Sequence, residues 1–250
     1  IGPFAGGLLA DTIGIRRTFL VTAALCFVAL VLVLVFYEER GHAERKAAGP
    51  GPGFGAVVAL PGVMALLCVL FLVNFIGRSF TPILPLHLAS LGVSPARLAS
   101  ATGVLISAYS LAAAGSAWFL GRLSRTHSPR ALLLLTLVGG AVVVAPMALV
   151  PSFELVLGLA FLLGLVSGGS LTLCYTIGGL MVPEAVRTTA FGFFSGAALF
   201  GGALSPTVAG LVAHASLRGI YWVNAALFLG LALALARGRA LHVPSPKAPA

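Results

Sequence analysis

The chain has 250 residues, of which 59% are hydrophobic and 8% charged, with a formal charge of +9. Soluble domains carry about 25% charged residues, so this composition excludes a water-exposed surface over most of the chain and, with its long apolar runs, indicates an all-α, polytopic membrane helix bundle. The basic residues stand in short gaps between apolar runs and form no stripe interleaved with aromatics, which argues against a nucleic-acid partner and for a topology signal.

Residues 1–10 read as the end of one helix. No initiator Met, basic leader or cleavage pattern precedes Ile1-Gly2-Pro3-Phe4, so the chain is expected to begin in mid-helix. Apolar runs able to span follow at 18–37, 57–79, 98–120, 131–150, 153–177, 190–213 and 220–236, each near the roughly 20 residues a bilayer requires. Gly and Pro recur inside these runs, as they do in spans packed against neighbours. The longest polar interval, EERGHAERKAAGPGPGFG at 38–55, reads as a linker. No strand precedes its glycines and no G-K-[ST] follows, so it is not read as a phosphate loop. Cys26, Cys68 and Cys174 each lie inside an apolar run, far from a partner Cys or a His, and are expected to be small buried hydrophobes.

Basic residues sort unequally between the two sets of gaps. Arg40, Arg45, Lys46, Arg122, Arg125, Arg130, Arg187, Arg237, Arg239 and Lys247 fall on one side, against Arg16, Arg17, Arg97 and Arg218 on the other. The positive-inside rule therefore assigns the linker, the 121–130 and 182–189 loops and the C-terminal tail to the cytoplasm of a multi-pass protein of the cell membrane. The excess of Arg over Lys favours a GC-rich bacterial source, hence an inner membrane.

Residues 2–10, GPFAGGLLA, align without gaps to 205–213, SPTVAGLVA, matching Pro3 to Pro206, Gly7 to Gly210, Leu8 to Leu211 and Ala10 to Ala213. Both segments end a span, precede a short loop containing Arg, and lead into a helix that starts on an aromatic residue. Duplication of a transporter half accounts for the match.

The stretch GPFAGGLLADTIGIRRTF resembles the end of the fifth helix and the start of the sixth in the major facilitator superfamily, including the Gly-Pro-x-x-Gly-Gly core of its antiporter motif. FIGRSFTPILPLHLASLG at 75–92 resembles a seventh helix and its outer end. GRLSRTHSPRALLL at 121–134 resembles the second-half copy of the basic loop motif, with Gly121, Leu123 and Arg130 in place and Arg122 between the first two. Arg125 occupies the usual acidic position and Ser128 a Gly position. VPEAVRTTAFGFFSGAALFGGALSP at 182–206 resembles the loop and eleventh helix. The resemblance implies a drug:proton antiporter-like chain, truncated at its N-terminus. Residues 1–37 would be the last one and a half helices of a first bundle, 38–55 a cytoplasmic linker, 56–236 a second six-helix bundle and 237–250 a cytoplasmic tail. The missing N-terminal half of the same protein would be its partner.

Gly2, Pro3, Gly6, Gly7, Pro206 and Gly210 are read as a bundle-packing motif, because small residues let backbones approach and Pro opens the helical ladder at a bend. Gly164 with Gly168, and Gly192 with Gly196, have small-xxx-small spacing that favours packing over ligand contact. Polar groups in apolar spans are expensive and mark candidate sites. Arg78 lies in an apolar helix with Asn74 one turn before it. It fits an anionic substrate group, a partner acid in the other half, or snorkelling from a span end. Tyr109 with Ser110, and Tyr175 with Thr176, are the other cavity candidates, the alternative for each phenol being a bond to a neighbouring carbonyl. Phe191, Phe194 and Phe200 read as core or lipid-facing.

None of Asp11, Glu38, Glu39, Glu44, Glu154 or Glu184 lies deep in a span, so any coupling carboxylate is expected in the missing helices. His42, His87, His127, His214 and His242 fall in loops or at span ends and are expected to be solvated. No motif supports catalysis, a metal or a cofactor. The reading is a secondary transporter that moves small molecules outward by alternating access, proton-coupled through residues of the missing part. Two alternatives stay open: a transport-incompetent fragment, and an uptake transporter for a metabolite or sugar.

Overall fold

The computed structural model describes residues 2–37 and 53–238. Helix α1 runs over Gly2–Ile13, α2 over Ile15–Phe36, α3 over Phe54–Val58, α4 over Val63–Ser79, α5 over Leu84–Ser90 and α6 over Leu98–Leu123. Then come α7 at Pro129–Met147, α8 at Phe153–Ser167, α9 at Ser170–Met181, α10 at Arg187–Ala215 and α11 at Gly219–Arg237. Among the described residues, seven segments are long and apolar enough to cross a bilayer, with α4–α5 and α8–α9 each counted as one.

The breaks follow local chemistry. Gly62 stands at φ 81°, a left-handed conformation that L side chains rarely adopt, and it ends the run 57–79 as a single helix by separating α3 from α4. Pro82 biases Thr81 away from helical geometry and separates α4 from α5. The run 153–177 divides at Gly168 and Gly169 into α8 and α9. Ser152 caps α8 by accepting a hydrogen bond from the Leu155 N–H at 3.4 Å. The helix at Phe54–Val58 also shortens the expected linker, whose residues 38–52 lie outside the described residues, as do 239–250 of the tail.

Apolar burial gives little net drive between helices already in lipid, so fit and small residues decide which faces meet. The principal pairings are α4 with α10, α6 with α8, α1 with α6, and α7 with α11. Leu66, Leu70 and Ile76 of α4, Leu133 and Leu137 of α7, Leu173 and Ile177 of α9, Phe194 of α10 and Tyr221 of α11 are fully buried. By contrast, α2 packs against α1 and buries no residue; its Phe19, Leu34 and Phe36 are exposed.

Contacts between helix ends sort in the manner of the basic residues. At one end Arg130 donates to the carbonyls of Leu235 and Gly238, at 2.7 and 2.6 Å. At the opposite end the Asp11 carboxylate accepts the N–H of Ser100 at 2.7 Å and that of Ala99 at 3.3 Å, and His87 meets the Tyr221 ring edge-on at 5.1 Å.

Several expectations change. His87 is 2% exposed rather than solvated, and both its ring nitrogens lack a protein partner among the described residues. α5 packs against α6, and the Tyr221 ring of α11 covers the imidazole edge-on. Cys174 is buried, but Cys26 and Cys68 are exposed, because a helix apolar on all sides must leave one face outward. Phe194 joins the core while Phe200 remains 62% exposed. Gly164 and Gly168 do pack, against the backbone and side chains of Tyr109, Ala112 and Ala113 on α6. Gly192 and Gly196 have nothing within 4 Å of a would-be Cβ; their face of α10 borders an open apolar groove with Leu67 and Phe71.

Candidate functional site

The Gly-Pro segment forms a docking surface. Gly7 faces the carbonyl of Ala99, and Gly103 on α6 faces that of Pro3, each closely enough that a Cβ would collide. The N–H of Phe4, near the start of α1, donates to Ser107 Oγ at 2.9 Å. Gly2, Gly6 and Gly210 have no atom within 4 Å of a would-be Cβ, so among the described residues Gly7 is packed and its counterpart Gly210 is open. Pro206 lies inside α10, where it frees the carbonyl of Gly202 from the helical ladder.

Arg78 occupies the last turn of α4, one turn beyond Asn74. Three cavities meet at it. The first, of about 310 Å³, is lined by Arg78, Thr81, Ile106, Tyr109, Ser110 and Leu163 among others. The second, of about 200 Å³, adds Asn74, Ser167, Ser170 and Phe228. The third, of about 380 Å³, lies between Asn74, Arg78 and Thr81 on one side and Gly202 and Pro206 on the other. A larger open groove borders α1 and α6 near Asp11.

The polar lining is ordered by local bonds. Ser170 donates to the carbonyl of Ser167 at 2.7 Å and lies 3.0 Å from Thr136 Oγ1. Ser167 donates to the carbonyl of Leu163 at 2.8 Å. Phe80 borders the first cavity and stacks on buried Tyr221 at 5.7 Å, so the outer end of the cavity rests on the Phe80, Tyr221 and His87 cluster.

The structure brings Asn74, Arg78, Tyr109 and Ser110 together and holds Tyr175 and Thr176 apart from them. The Tyr175 ring stacks on Phe191 at 5.9 Å, its hydroxyl lies 3.4 Å from Ser195 Oγ, and Thr176 donates to the carbonyl of Thr172 at 2.9 Å. Of the loop motif, Arg130 holds the C-terminus of α11, while Arg122 and Arg125 are exposed and Gly121 sits 3.6 Å from Thr172 at its would-be Cβ.

Two polar positions were not singled out in the sequence. Asn224 is fully buried and donates to Ser79 Oγ at 2.7 Å; an amide inside an apolar span was a readable signal. Ser205, also fully buried, donates to the carbonyl of Phe75 at 2.6 Å and ties α10 to α4. Asp11, read only as an acid that does not lie deep in a span, holds the start of α6.

Bilayer-length helices packed into a bundle around hydroxyl- and guanidinium-lined cavities define a multi-pass α-helical membrane protein. The family model described as Major Facilitator Superfamily matches residues 1–103 and 66–250, and the chain belongs to that superfamily. It is 29% identical over 230 residues to the Multidrug resistance protein MdtG of Proteus mirabilis (strain HI4320), covering 91% of this chain and 57% of that protein. It is 33% identical over 171 residues to the Multi-drug resistance efflux pump PmrA homolog of Lactococcus lactis subsp. lactis (strain IL1403), covering 67% and 42% respectively. A third relative, the MFS-type transporter YuxJ of Bacillus subtilis (strain 168), is 27% identical over 232 residues, covering 91% and 59%. The chain thus spans little more than half the length of the curated relatives it matches.

Proposed function

We propose that this chain is the second helical bundle, together with the end of the first, of a bacterial inner-membrane secondary transporter that exports small molecules by alternating access. Residues 1–37 then belong to the first bundle, 38–55 link the two across the cytoplasmic side, and 56–236 form the second bundle with a cytoplasmic tail at 237–250. The observation that carries the reading is the set of three cavities meeting at Arg78, two of them also lined by Asn74, in a largely apolar bundle. Intramembrane polar groups facing a cavity mark a substrate path, and transporters of this architecture place that path between bundles near the midplane. Outward transport is supported by the antiporter-like Gly-Pro segment and by the names of the relatives above. Proton coupling is assigned to carboxylates beyond this chain, because none of the described acids borders the cavities.

Everted vesicles from cells producing the protein, energised by respiration and supplied with a fluorescent amphiphile, test the proposal. Accumulation that collapses with a protonophore is expected. Uptake no greater than in control vesicles rejects export, and accumulation that survives the protonophore rejects proton coupling.

A further inference from the structure

Helix α6 begins without a cap of its own. Arg97, the residue before Leu98, makes no side-chain bond to the first turn, and the leading N–H groups of a helix have no partner within it. The Asp11 carboxylate of α1 takes two of them, from Ala99 and Ser100. A negative charge at this position also meets the positive end of the α6 dipole. The cap of α6 is therefore supplied by a different helix, from a residue distant in sequence.

That bond lies at the outer end of a longer seam. Inward from Asp11, Gly7 faces the carbonyl of Ala99, Gly103 faces that of Pro3, and the Phe4 N–H reaches Ser107 Oγ. From position 3 to position 11 a helix advances about 12 Å, less than half of the roughly 30 Å apolar thickness of a bilayer, so this seam covers the outer part of the bundle's depth. The pair α1 and α2 meets the rest of the described structure chiefly along it. Ile106, half-buried on α6, borders both the groove beside Asp11 and the cavity at Arg78, and the way outward from the cavity along α6 passes the seam. The glycine approaches are backbone on backbone and carry no charge. Among these contacts only Asp11 contributes one.

Resting on the transporter reading above, which assigns α1 to the first bundle and α6 to the second, we infer that Asp11 is the latch of the outer gate: its carboxylate, seated on the start of α6, holds the two bundles together at the outer end, and the cavity opens outward only when that bond breaks. A bond present in the closed form and absent from the open one biases their balance by its own free energy. Removing the charge therefore shifts the resting balance from the inward-facing form to the outward-facing one.

The test uses the full chain with Cys26, Cys68 and Cys174 replaced by serine and one cysteine introduced at Ser110, which lines the cavity. A membrane-impermeant maleimide is added to right-side-out vesicles, where it enters from the outer side, and to everted vesicles, where it enters from the cytoplasmic side. Asp11→Asn is expected to raise labelling from the outer side about threefold or more, the scale of a partly exposed carboxylate on a helix start, and to lower labelling from the cytoplasmic side. Asp11→Glu is expected to stay closer to the unaltered balance. Adding Ser100→Asp to Asp11→Asn gives α6 a carboxylate in its own first turn, which supports the helix without bridging to α1. The outward shift should persist in this double variant, which also serves where Asp11→Asn alone folds poorly. Return of the double variant to the unaltered balance would show that the carboxylate only caps α6, and overturns the inference. So does a parallel rise from both sides, which marks general loosening. Labelling from both sides at rates that Asp11→Asn leaves unchanged rejects the latch and leaves the transporter reading intact. Labelling absent, or confined to one side in every variant, rejects alternating access through this cavity, and the latch with it.

Discussion

The carbonyl of Pro3 in α1 lies against Gly103 in α6 so closely that a Cβ at position 103 would collide with it. Gly7 makes the same approach to Ala99 one turn further along, and Ser107 receives the Phe4 N–H on the other side. Backbone contact of this kind depends on the absence of side chains and tolerates no added volume. Gly103→Leu is therefore expected to lift α1 from α6. With Cys26, Cys68 and Cys174 replaced by serine, a cysteine introduced at Ser107 should react with a small maleimide several-fold faster in the Gly103→Leu background. An unchanged rate would show that the helices are held by other contacts.

Asp11 makes the same helix contact sensitive to acid. Partial desolvation alone would raise its pKa, yet hydrogen bonds from the Ser100 side chain and from the Ser100 and Ala99 backbones hold it below the ordinary value. A depressed carboxylate stabilises the folded contact above its ordinary value of about 3.9 and loses that contribution as pH falls through the depressed one. The contact is expected to hold from neutrality to mild acid and to loosen only below about pH 4, read as the maleimide rate divided by that of free cysteine at the same pH, because only the thiolate reacts. Asp11→Asn, which cannot titrate, should give a higher ratio that does not change with pH. Acid loosening that persists in Asp11→Asn would assign the effect elsewhere.

Arg130 joins the start of α7 to the end of α11 by donating to two terminal carbonyls. Such carbonyls carry the negative end of the helix dipole and have no partner within their own helix. Arg130→Ala is expected to cost about 1–2 kcal/mol, read as a lower Tm in detergent, with Arg130→Lys intermediate. An unchanged Tm would mean the carbonyls are equally well satisfied without the guanidinium.

His87 is buried against Tyr221 with neither ring nitrogen bonded to protein among the described residues. An unpaired buried polar group is costly, whereas an apolar ring of similar shape is not. His87→Phe is accordingly expected to raise stability by about 1–2 kcal/mol, and a loss of stability in thermal unfolding would show that the imidazole is used.

Arg78 and Tyr175 separate the cavity from its surroundings. Arg78→Ala should lower vesicle transport about tenfold or more, because it removes the charge at the cavity junction. Tyr175→Phe removes only a hydroxyl 3.4 Å from Ser195, away from the three cavities, and is expected to change transport by less than about twofold. Equal effects of the two substitutions would move the substrate path toward α9 and α10.

Much of the fold was readable without coordinates. Span lengths, the Gly-Pro segment and the placing of basic residues between spans each depend on residues close in sequence. The cavity was readable only in part. Arg78, Asn74, Tyr109 and Ser110 stand out as polar groups in apolar runs, and they do converge. Tyr175 and Thr176 stand out by the same rule and lie elsewhere. Gly202 carries no polar signal at all, although it leaves the room for Arg78.

What the sequence by itself determined is membrane residence, the number and approximate limits of the spans, and the superfamily. These follow from matching local apolar length to bilayer thickness, and from short motifs whose spacing is preserved along the chain. What only the tertiary structure decided is which face of each helix meets which neighbour: Gly7 packed while Gly210 is open, His87 buried, Arg78 at a junction of cavities and Tyr175 outside it. The reason is physical. A helix apolar on every side has no hydrophobic periodicity to show which face turns inward, so its rotation is settled by backbone approach and side-chain fit between helices distant in sequence.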